Sequence, residues 1–217
     1  MKQKNCKVCK EMFNPQRALQ QACSMKCAIM LSQKIAKRDE SKKWQAEKKV
    51  LKEKLKTISD WKKELQFEIN KLVRIIDFGC PCIATGAFKG KMNAGHMISV
   101  GSNDTIRFHL HNIFIQSEHS NSYRAGDTIK YQEGIIKTFG HEQLDYMMSL
   151  RSIQPIKLTA SDLKSAISKT RQIIKDIGER EYIYDSETRL KLRTLYNEQI
   201  GIYKNIGNIT YTKIRNI

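Results

Sequence analysis

The sequence predicts an α+β fold that is mostly helical and that carries a metal-bound finger at its amino-terminal end. Four of the six cysteines lie in two close pairs before residue 30, residues 31–75 contain no Gly or Pro, and six of the eleven glycines fall within residues 77–127. Paired cysteines indicate a metal site, an unbroken stretch indicates helix, and closely spaced glycines indicate short strands and turns. We therefore expect a four-cysteine zinc finger (1–30), a basic helical linker (31–76), a small ββα domain of short strands (77–150) and a helical region (151–217).

The chain is strongly basic, with 39 Lys and Arg against 22 Asp and Glu, a net charge of +17 and a pI of about 9.6. Such a charge predicts a polyanionic partner, and nucleic acid and an acidic membrane surface are the two candidates. The sequence contains neither a run of about eighteen apolar residues nor a secretory signal pattern. We therefore expect no membrane association, a cytoplasmic location and cysteines that stay reduced.

The first element is the cysteine quartet. Cys6 and Cys9 are separated by two residues, Cys23 and Cys27 by three, and thirteen residues lie between the pairs. Four thiolates presented by two tight turns match the tetrahedral coordination of Zn²⁺, and a site filled by four cysteines has no position for water. A segment this short buries too little apolar surface to fold alone, so the metal would supply its folding free energy. The sequence predicts a structural zinc, and four unrelated reduced cysteines are the alternative.

The second element is a helical stretch whose first half is charged and whose second half is amphipathic. Residues 34–56 carry many charges and few large apolar side chains, which is typical of a solvated helix that lies along a phosphate backbone. We expect DNA contacts here, with an ordinary solvated face as the alternative, from Lys42, Lys43, Lys48 and Lys49. Further along, apolar residues at helical spacing predict packing on a core. They are Trp61, Leu65, Ile69, Leu72, Val73 and Ile76.

The remaining elements are a glycine-rich region and a helical carboxyl-terminal part. Residues 106–110 alternate apolar and polar side chains, which predicts a strand. Residues 127–148 have a helical pattern. Thr159 and Asp162 have the spacing of a capping box, and a second helix is expected at residues 186–203. These last two helices are predicted to form a helical hairpin.

The candidate catalytic residues are His96, Asn112 and Asn121, which lie sixteen and nine positions apart along the chain. Water cleaves a phosphodiester readily only if a base takes its proton and a cation neutralises the charge that builds on the phosphate. Histidine suits the first task, and asparagine amide oxygens are acceptable ligands for Mg²⁺ or Mn²⁺. Taken singly, the three have ordinary alternatives: a turn or core histidine, a turn asparagine and a helix N-cap. Four basic residues nearby are candidates for DNA contact or for a solvated face: Lys89, Lys91, Arg107 and Arg124.

Further residues between positions 79 and 126 extend this set. They are Pro81, Cys82, Ile83, Asn93, Gly95, Ile98, Ser99, Phe108, Ile113, Gln116 and Gly126. Together with the histidine and asparagines, this text resembles the NinG family of phage recombination proteins, called Rap in lambda-like phages, and the related HNH nucleases. The leading cysteines, the charged helix and the Thr159-capped helix fall in the same order, so the resemblance covers most of the chain.

The resemblance implies a metal-dependent, structure-selective DNA endonuclease of HNH type that acts on branched recombination intermediates such as Holliday junctions and D-loops. It implies that His96 is the general base, that Asn112 orients the base or its loop, and that Asn121 binds the catalytic Mg²⁺ or Mn²⁺. His96 itself and His119 are further candidate ligands of that ion. The resemblance also implies branched or double-stranded DNA as substrate, the bacterial host cytoplasm as location, phage or host recombination proteins as partners, and a homodimer that would make two cuts.

The chain departs from the family pattern at a second zinc knuckle beside this site. The family carries four cysteines there, whereas this chain has Cys82, Thr85, Ser117 and Ser120. A single thiolate is a poor zinc site, so we expect this zinc to be lost and local hydrogen bonds to replace it. Asn93 stands where lambda-like members carry Asp, which removes one negative charge.

These departures leave other functions open. The first is a non-catalytic DNA-binding accessory protein of recombination, for which the lost knuckle would be a mark of decay. The presence of His96, Asn112 and Asn121 argues against it. The other is an RNA-binding zinc-finger protein, which only the charge and the first finger support.

Overall fold

The structure is a computed structural model that describes residues 2–120, 128–178 and 182–204. Contacts divide the chain into two compact units, Met1–Lys56 and Thr57–Ile217. The helical stretch expected at 31–76 is therefore shared between the two units. The candidate site residues Asn121 and Arg124 lie outside the described residues.

The first unit consists of a small sheet and a long helix. Strand β1 (Lys4–Asn5) pairs antiparallel with β2 (Met12–Phe13), and helix α1 spans Met25–Lys54. The Ser24 hydroxyl caps α1 by accepting a hydrogen bond from the backbone N–H of Cys27 at 3.3 Å. The long charged helix is confirmed, and it begins early enough to carry the last cysteine of the quartet in its first turn.

Five α-helices occur in the described part of the second unit. They are α2 (Ile58–Ile76), α3 (Thr128–Phe139), α4 (His141–Ser149), α5 (Ala160–Ile177) and α6 (Ser186–Ile200). All six apolar residues predicted to face a core are buried along α2. The predicted capping box of Thr159 and Asp162 is present at the start of α5. No helix in the described ranges has an apolar stretch long enough to cross a bilayer.

The second sheet pairs two strands that are distant in sequence. Strand β3 (Met92–His96) lies antiparallel to β4 (Ile113–Ser117), with His96 opposite Ile113 and Met92 opposite Ser117. The strand predicted at residues 106–110 is wrong, because this stretch forms turns and leads into a 3₁₀ turn at Leu110–Asn112. Its carbonyl groups accept hydrogen bonds from side chains instead of from a neighbouring strand. Its apolar residues are buried, but the backbone is not extended, so the alternating pattern does not reflect a strand here.

Two apolar cores flank this sheet. One is built on α2, α5 and α6 and includes Leu65, Leu163 and Ile113. The other is built on α3 and α4 and includes Phe114 and Ile135. Ile113 and Phe114, at the start of β4, face opposite cores, and the whole strand is buried, so its sequence shows no polar alternation.

Helix α3 lies close against the sheet and the turn that precedes it. The Tyr131 hydroxyl donates to the carbonyl of Gly95 and accepts from the backbone N–H of Phe114, both at 2.9 Å. Three residues later, a Cβ on Gly134 would fall 1.7 Å from the carbonyl oxygen of Ile83. The absence of a side chain at Gly134 therefore allows the helix to approach the 82–86 turn.

Candidate functional site

His96 ends strand β3 and is half-buried. Its ring Nε2 lies 2.9 Å from the carbonyl oxygen of Arg107, so Nε2 carries the proton of the neutral ring and donates it to that carbonyl. Burial lowers the pKa of His96, the hydrogen bond to Arg107 opposes this, and the charge of the Arg107 side chain lowers it further. The ring is therefore neutral near pH 7, and its Nδ1 carries a lone pair.

Asn112 is fully buried and fixes the chain that follows His96. Its side-chain oxygen accepts from the backbone N–H of Ile98 at 2.9 Å, and its side-chain nitrogen donates to the Ile98 carbonyl at 3.0 Å and to the Ile106 carbonyl at 3.5 Å. One amide thus satisfies three backbone groups that no strand would pair. It holds together the two ends of the segment between β3 and β4.

The carbonyl partner of His96 is held in place from α2. The Arg107 guanidinium donates to Asp104 at 3.3 Å and to the Gln66 side chain at 3.2 Å, and Lys62 pairs with the same Asp104. Arg107 was a candidate for DNA contact, and only 19% of its side chain is exposed. Its guanidinium therefore braces the loop that carries the carbonyl facing His96.

The four positions of the altered zinc knuckle come together in space. The Cys82 thiol is buried and accepts hydrogen bonds from Ser117 and Thr85, and the Ser117 hydroxyl lies 3.2 Å from that of Ser120. Burial raises the pKa of Cys82, but the hydrogen bonds from Ser117 and Thr85 outweigh it and leave the pKa lowered. The Ile83 N–H also donates to the Ile115 carbonyl at 2.9 Å. Hydrogen bonds thus join the 82–86 turn to the end of β4.

His119 lies beyond the end of β4 that is remote from His96, and its side chain is exposed. It lines an open cavity of about 450 Å³ together with Lys89 and Lys91. Lys91 also pairs with Glu118 at 3.0 Å on the exposed rim. Two lysines and one glutamate thus line this cavity, together with Thr85, Ser117 and Ser120 of the altered knuckle.

The cysteine quartet is the only group of three or more His, Cys, Asp or Glu in the described residues whose donor atoms converge on a common point. The four sulfurs lie within 4.8 Å of one another, with Cys9 and Cys23 at 3.5 Å and Cys23 and Cys27 at 3.7 Å. Tetrahedral zinc with Zn–S bonds of about 2.3 Å requires sulfur separations of about 3.8 Å. The quartet therefore fits a metal such as Zn²⁺.

Backbone groups favour a thiolate within this quartet. Burial raises the pKa of Cys6, but N–H groups of Cys23, Cys9 and Val8 outweigh that effect and lower the pKa to about 6. Hydrogen-bonding partners of this kind orient a metal ligand and tune the site. By contrast, within residues 2–120, 128–178 and 182–204 no second group of three or more His, Cys, Asp or Glu converges around His96.

A buried ion pair that no sequence pattern indicates lies beside the site. Asp77, at the end of α2, accepts from Arg193 of α6 at 2.7 Å and from the backbone N–H of Ile115 at 2.9 Å. Arg193 also donates to the carbonyls of Leu110 and Ile113, on either side of Asn112. The two partners are 116 residues apart, so no local pattern could have signalled the contact.

Known proteins resemble this chain over most of its length. A family model described as "Bacteriophage Lambda NinG protein" matches residues 1–181. "Protein ninG" of Escherichia phage lambda is 28% identical over 184 residues, covering 78% of this chain and 89% of the phage protein. The proteins of the same name from Escherichia phage 933W and Salmonella phage P22 are 27% and 28% identical, covering 80% and 78% of this chain and 93% and 90% of their own length. No solved structure matches the chain.

Proposed function

Since this chain belongs to the NinG family of bacteriophage proteins, we propose that it is a metal-dependent, structure-selective DNA endonuclease of HNH type. Its substrates would be branched recombination intermediates, Holliday junctions and D-loops among them. The observation that carries the proposal is the neutral, half-buried ring of His96, with one nitrogen bound to a backbone carbonyl and the other left to accept a proton.

In this proposal His96 is the general base. Its Nδ1 takes a proton from the attacking water, while Nε2–H remains bonded to the carbonyl of Arg107 and steadies the ring as it becomes positive. Because Nε2 is engaged, Nδ1 serves either as base or as metal ligand, and we assign it the first role. Asn112 is a positioning residue, since it holds the loop that carries the carbonyl partner.

The divalent ion and the DNA contacts complete the proposal. When bound, Mg²⁺ or Mn²⁺ would neutralise charge that develops on the phosphate and the leaving oxygen. Asn121 is its proposed ligand and His119 the further candidate. Lys89 and Lys91, with Arg124, would meet the phosphate backbone, whose recognition depends on charge and shape.

Cleavage of a four-way DNA junction tests the proposal. The full chain is incubated with the junction and Mg²⁺ or Mn²⁺, and His96→Ala is compared with His141→Ala, which changes an exposed histidine at the start of α4. Loss of the base should slow cleavage by about 10²- to 10⁴-fold, whereas the control should cut at the wild-type rate. Equal rates for all three proteins would exclude the role of His96. A junction that is bound but stays uncut with either metal would instead favour the accessory protein.

A further inference from the structure

Helix α1 carries a surface whose charges are sorted by face. No side chain of this helix is buried among the described residues. The helix contains ten Lys and Arg and four Asp and Glu. Between residues 34 and 49 every side chain is exposed. Six basic residues in this window form what we call the basic face: Lys34, Lys37, Arg38, Lys42, Lys48 and Lys49.

The geometry of an α-helix puts these six residues on one side. At about 100° per residue, they fall within an arc of about 140°. The acidic residues of the same window, Asp39, Glu40 and Glu47, lie outside that arc. Lys43 lies almost diametrically opposite the centre of the arc, although it follows Lys42 directly in sequence.

An ordinary solvated helix intersperses opposite charges, which pair at a spacing of three or four residues. Within the described residues, the one ion pair that involves a residue of the basic face joins Arg38 to Asp39 at 3.4 Å, and both partners are exposed. Exposed pairs of this kind contribute little and open readily. The basic face therefore presents a field of one sign along about 22 Å of helix, at 1.5 Å per residue.

We infer that the basic face is a binding surface for the phosphate backbone of duplex DNA. The choice of DNA rests on the proposed function, whereas the choice of a regular polyanion rests on the charge segregation itself. Duplex DNA carries about one negative charge per 1.7 Å of its axis, so a face of this length spans many phosphates. Of the four lysines first considered as DNA contacts, Lys42, Lys48 and Lys49 belong to the surface, and Lys43 does not.

Two double variants of the full chain test this assignment. Lys42→Gln with Lys49→Gln removes two charges from the basic face, and Lys43→Gln with Lys54→Gln removes two from the opposite side of the same helix. All four positions are exposed, so both variants should fold as the wild type does by circular dichroism. Binding to a labelled duplex is measured by anisotropy at several salt concentrations without added divalent ion, so that no strand is cut.

The face variant should bind at least about tenfold more weakly at low salt, and the slope of log K against log salt should decrease by about 1.8. The opposite-side variant should keep nearly the wild-type affinity and slope. Equal losses in the two variants, or no loss in either, would overturn the assignment. If the partner of this face is an acidic protein surface instead, neither variant should lose affinity for DNA.

A tryptophan beside the face gives an independent measurement. Trp44 is 59% exposed, and the Lys48 ammonium lies 4.7 Å from the centre of its ring, whereas Trp61 is buried. Trp61→Phe leaves Trp44 as the only tryptophan of the chain. DNA bound on the face should change Trp44 fluorescence at the concentrations that raise anisotropy, and unchanged fluorescence at saturating DNA would contradict the inference.

The two proposals fail in different ways. A chain that binds through the basic face but leaves junctions intact contradicts the nuclease and not the surface. A chain that cuts junctions equally well in both double variants, with equal affinity, contradicts the surface and not the nuclease.

Discussion

For single residues, the proposed chemistry depends on which atoms of His96 and Asn112 are already hydrogen-bonded. The hydrogen bond from His96 to the Arg107 carbonyl fixes which ring nitrogen carries the proton. Asn112 uses both ends of its amide on backbone groups, so it has a structural task that a turn asparagine at the surface would lack. Both residues act through the same loop, because that loop supplies the carbonyl and is held by the amide.

The lowered pKa of His96 predicts the pH dependence of cleavage. A base must be neutral to act, so kcat/KM for junction cleavage should be level above about pH 6.5 and should fall as the pH drops through the pKa of His96. Because burial and the Arg107 charge lower that pKa, the midpoint of the fall should lie below the ordinary value of 6.5. The measurement is a pH–rate profile of the wild type and of His141→Ala.

The two profiles should coincide, because His141 is exposed and remote in sequence from the site. A midpoint above pH 6.5, or a fall that His141→Ala abolishes, would contradict His96 as the titrating base.

Among the elements, the turns of the cysteine quartet and the 82–86 turn are held together by different interactions. In the first unit four thiols converge at distances that suit a metal. In the second, Cys82 and three hydroxyl residues come together from two separate segments, and hydrogen bonds join the 82–86 turn to β4. Helix α3 then covers this turn closely through Gly134. The inner turn therefore depends on packing and hydrogen bonds, whereas the outer one presents four thiols that could hold a metal.

The metal content of the purified chain separates these two turns. We expect about one zinc per chain, because four thiolates make one closed site. Cys9→Ser should abolish zinc binding, whereas Cys80→Ser, which changes a buried cysteine outside the quartet, should leave it unchanged. Elemental analysis of the three proteins gives the count.

Two zinc ions per chain would contradict the replacement of the inner metal by hydrogen bonds. Removal of the metal by a chelator should unfold the first unit, because metal binding supplies its folding free energy. The expected signal is a partial loss of helical circular dichroism.

At the scale of the whole molecule, the second unit is organised around a sheet enclosed between two cores. The Asp77–Arg193 pair joins α2, β4 and α6 within it, and both side chains are fully buried. Arg193 also stacks over Phe114, with its guanidinium carbon 4.0 Å from the ring centre. Helix α6 lies beyond the matched residues 1–181, yet its arginine binds the backbone on either side of Asn112.

Removing this arginine should therefore affect the whole unit. Arg193→Met leaves the Asp77 carboxylate buried with weaker compensation and should lower the free energy of unfolding by about 3–5 kcal/mol. Lys191→Met on the same helix breaks only an exposed pair with Glu187 and should cost less than about 0.5 kcal/mol. Urea unfolding followed by the fluorescence of the buried Trp61 measures both values.

Equal stabilities of the two variants would show that the buried pair does not hold the unit together. If Arg193→Met loses much of its free energy of unfolding and also cleaves junctions more slowly under conditions in which it is still folded, α6 contributes to the candidate site.

Features encoded by neighbouring residues were predictable from the sequence. The cysteine spacing, the apolar period of α2 and the capping box at Thr159 each involve residues within about twenty positions of one another. A metal site or a helix of this kind needs only local geometry, so spacing and residue type suffice. The alternation at residues 106–110 predicted a strand wrongly, because its apolar residues are buried in a turn and not in extended backbone.

Contacts between distant segments were decided only by the tertiary structure. The cluster at Cys82 and the ion pair of Asp77 with Arg193 both join segments that are far apart in sequence and leave water together on folding. Their strength comes from that burial, which sets hydrogen-bond partners and pKa values and leaves no periodic trace along the chain. The kinds of side chain available thus follow from the sequence, whereas the fold sets which of their atoms are already bound to other groups.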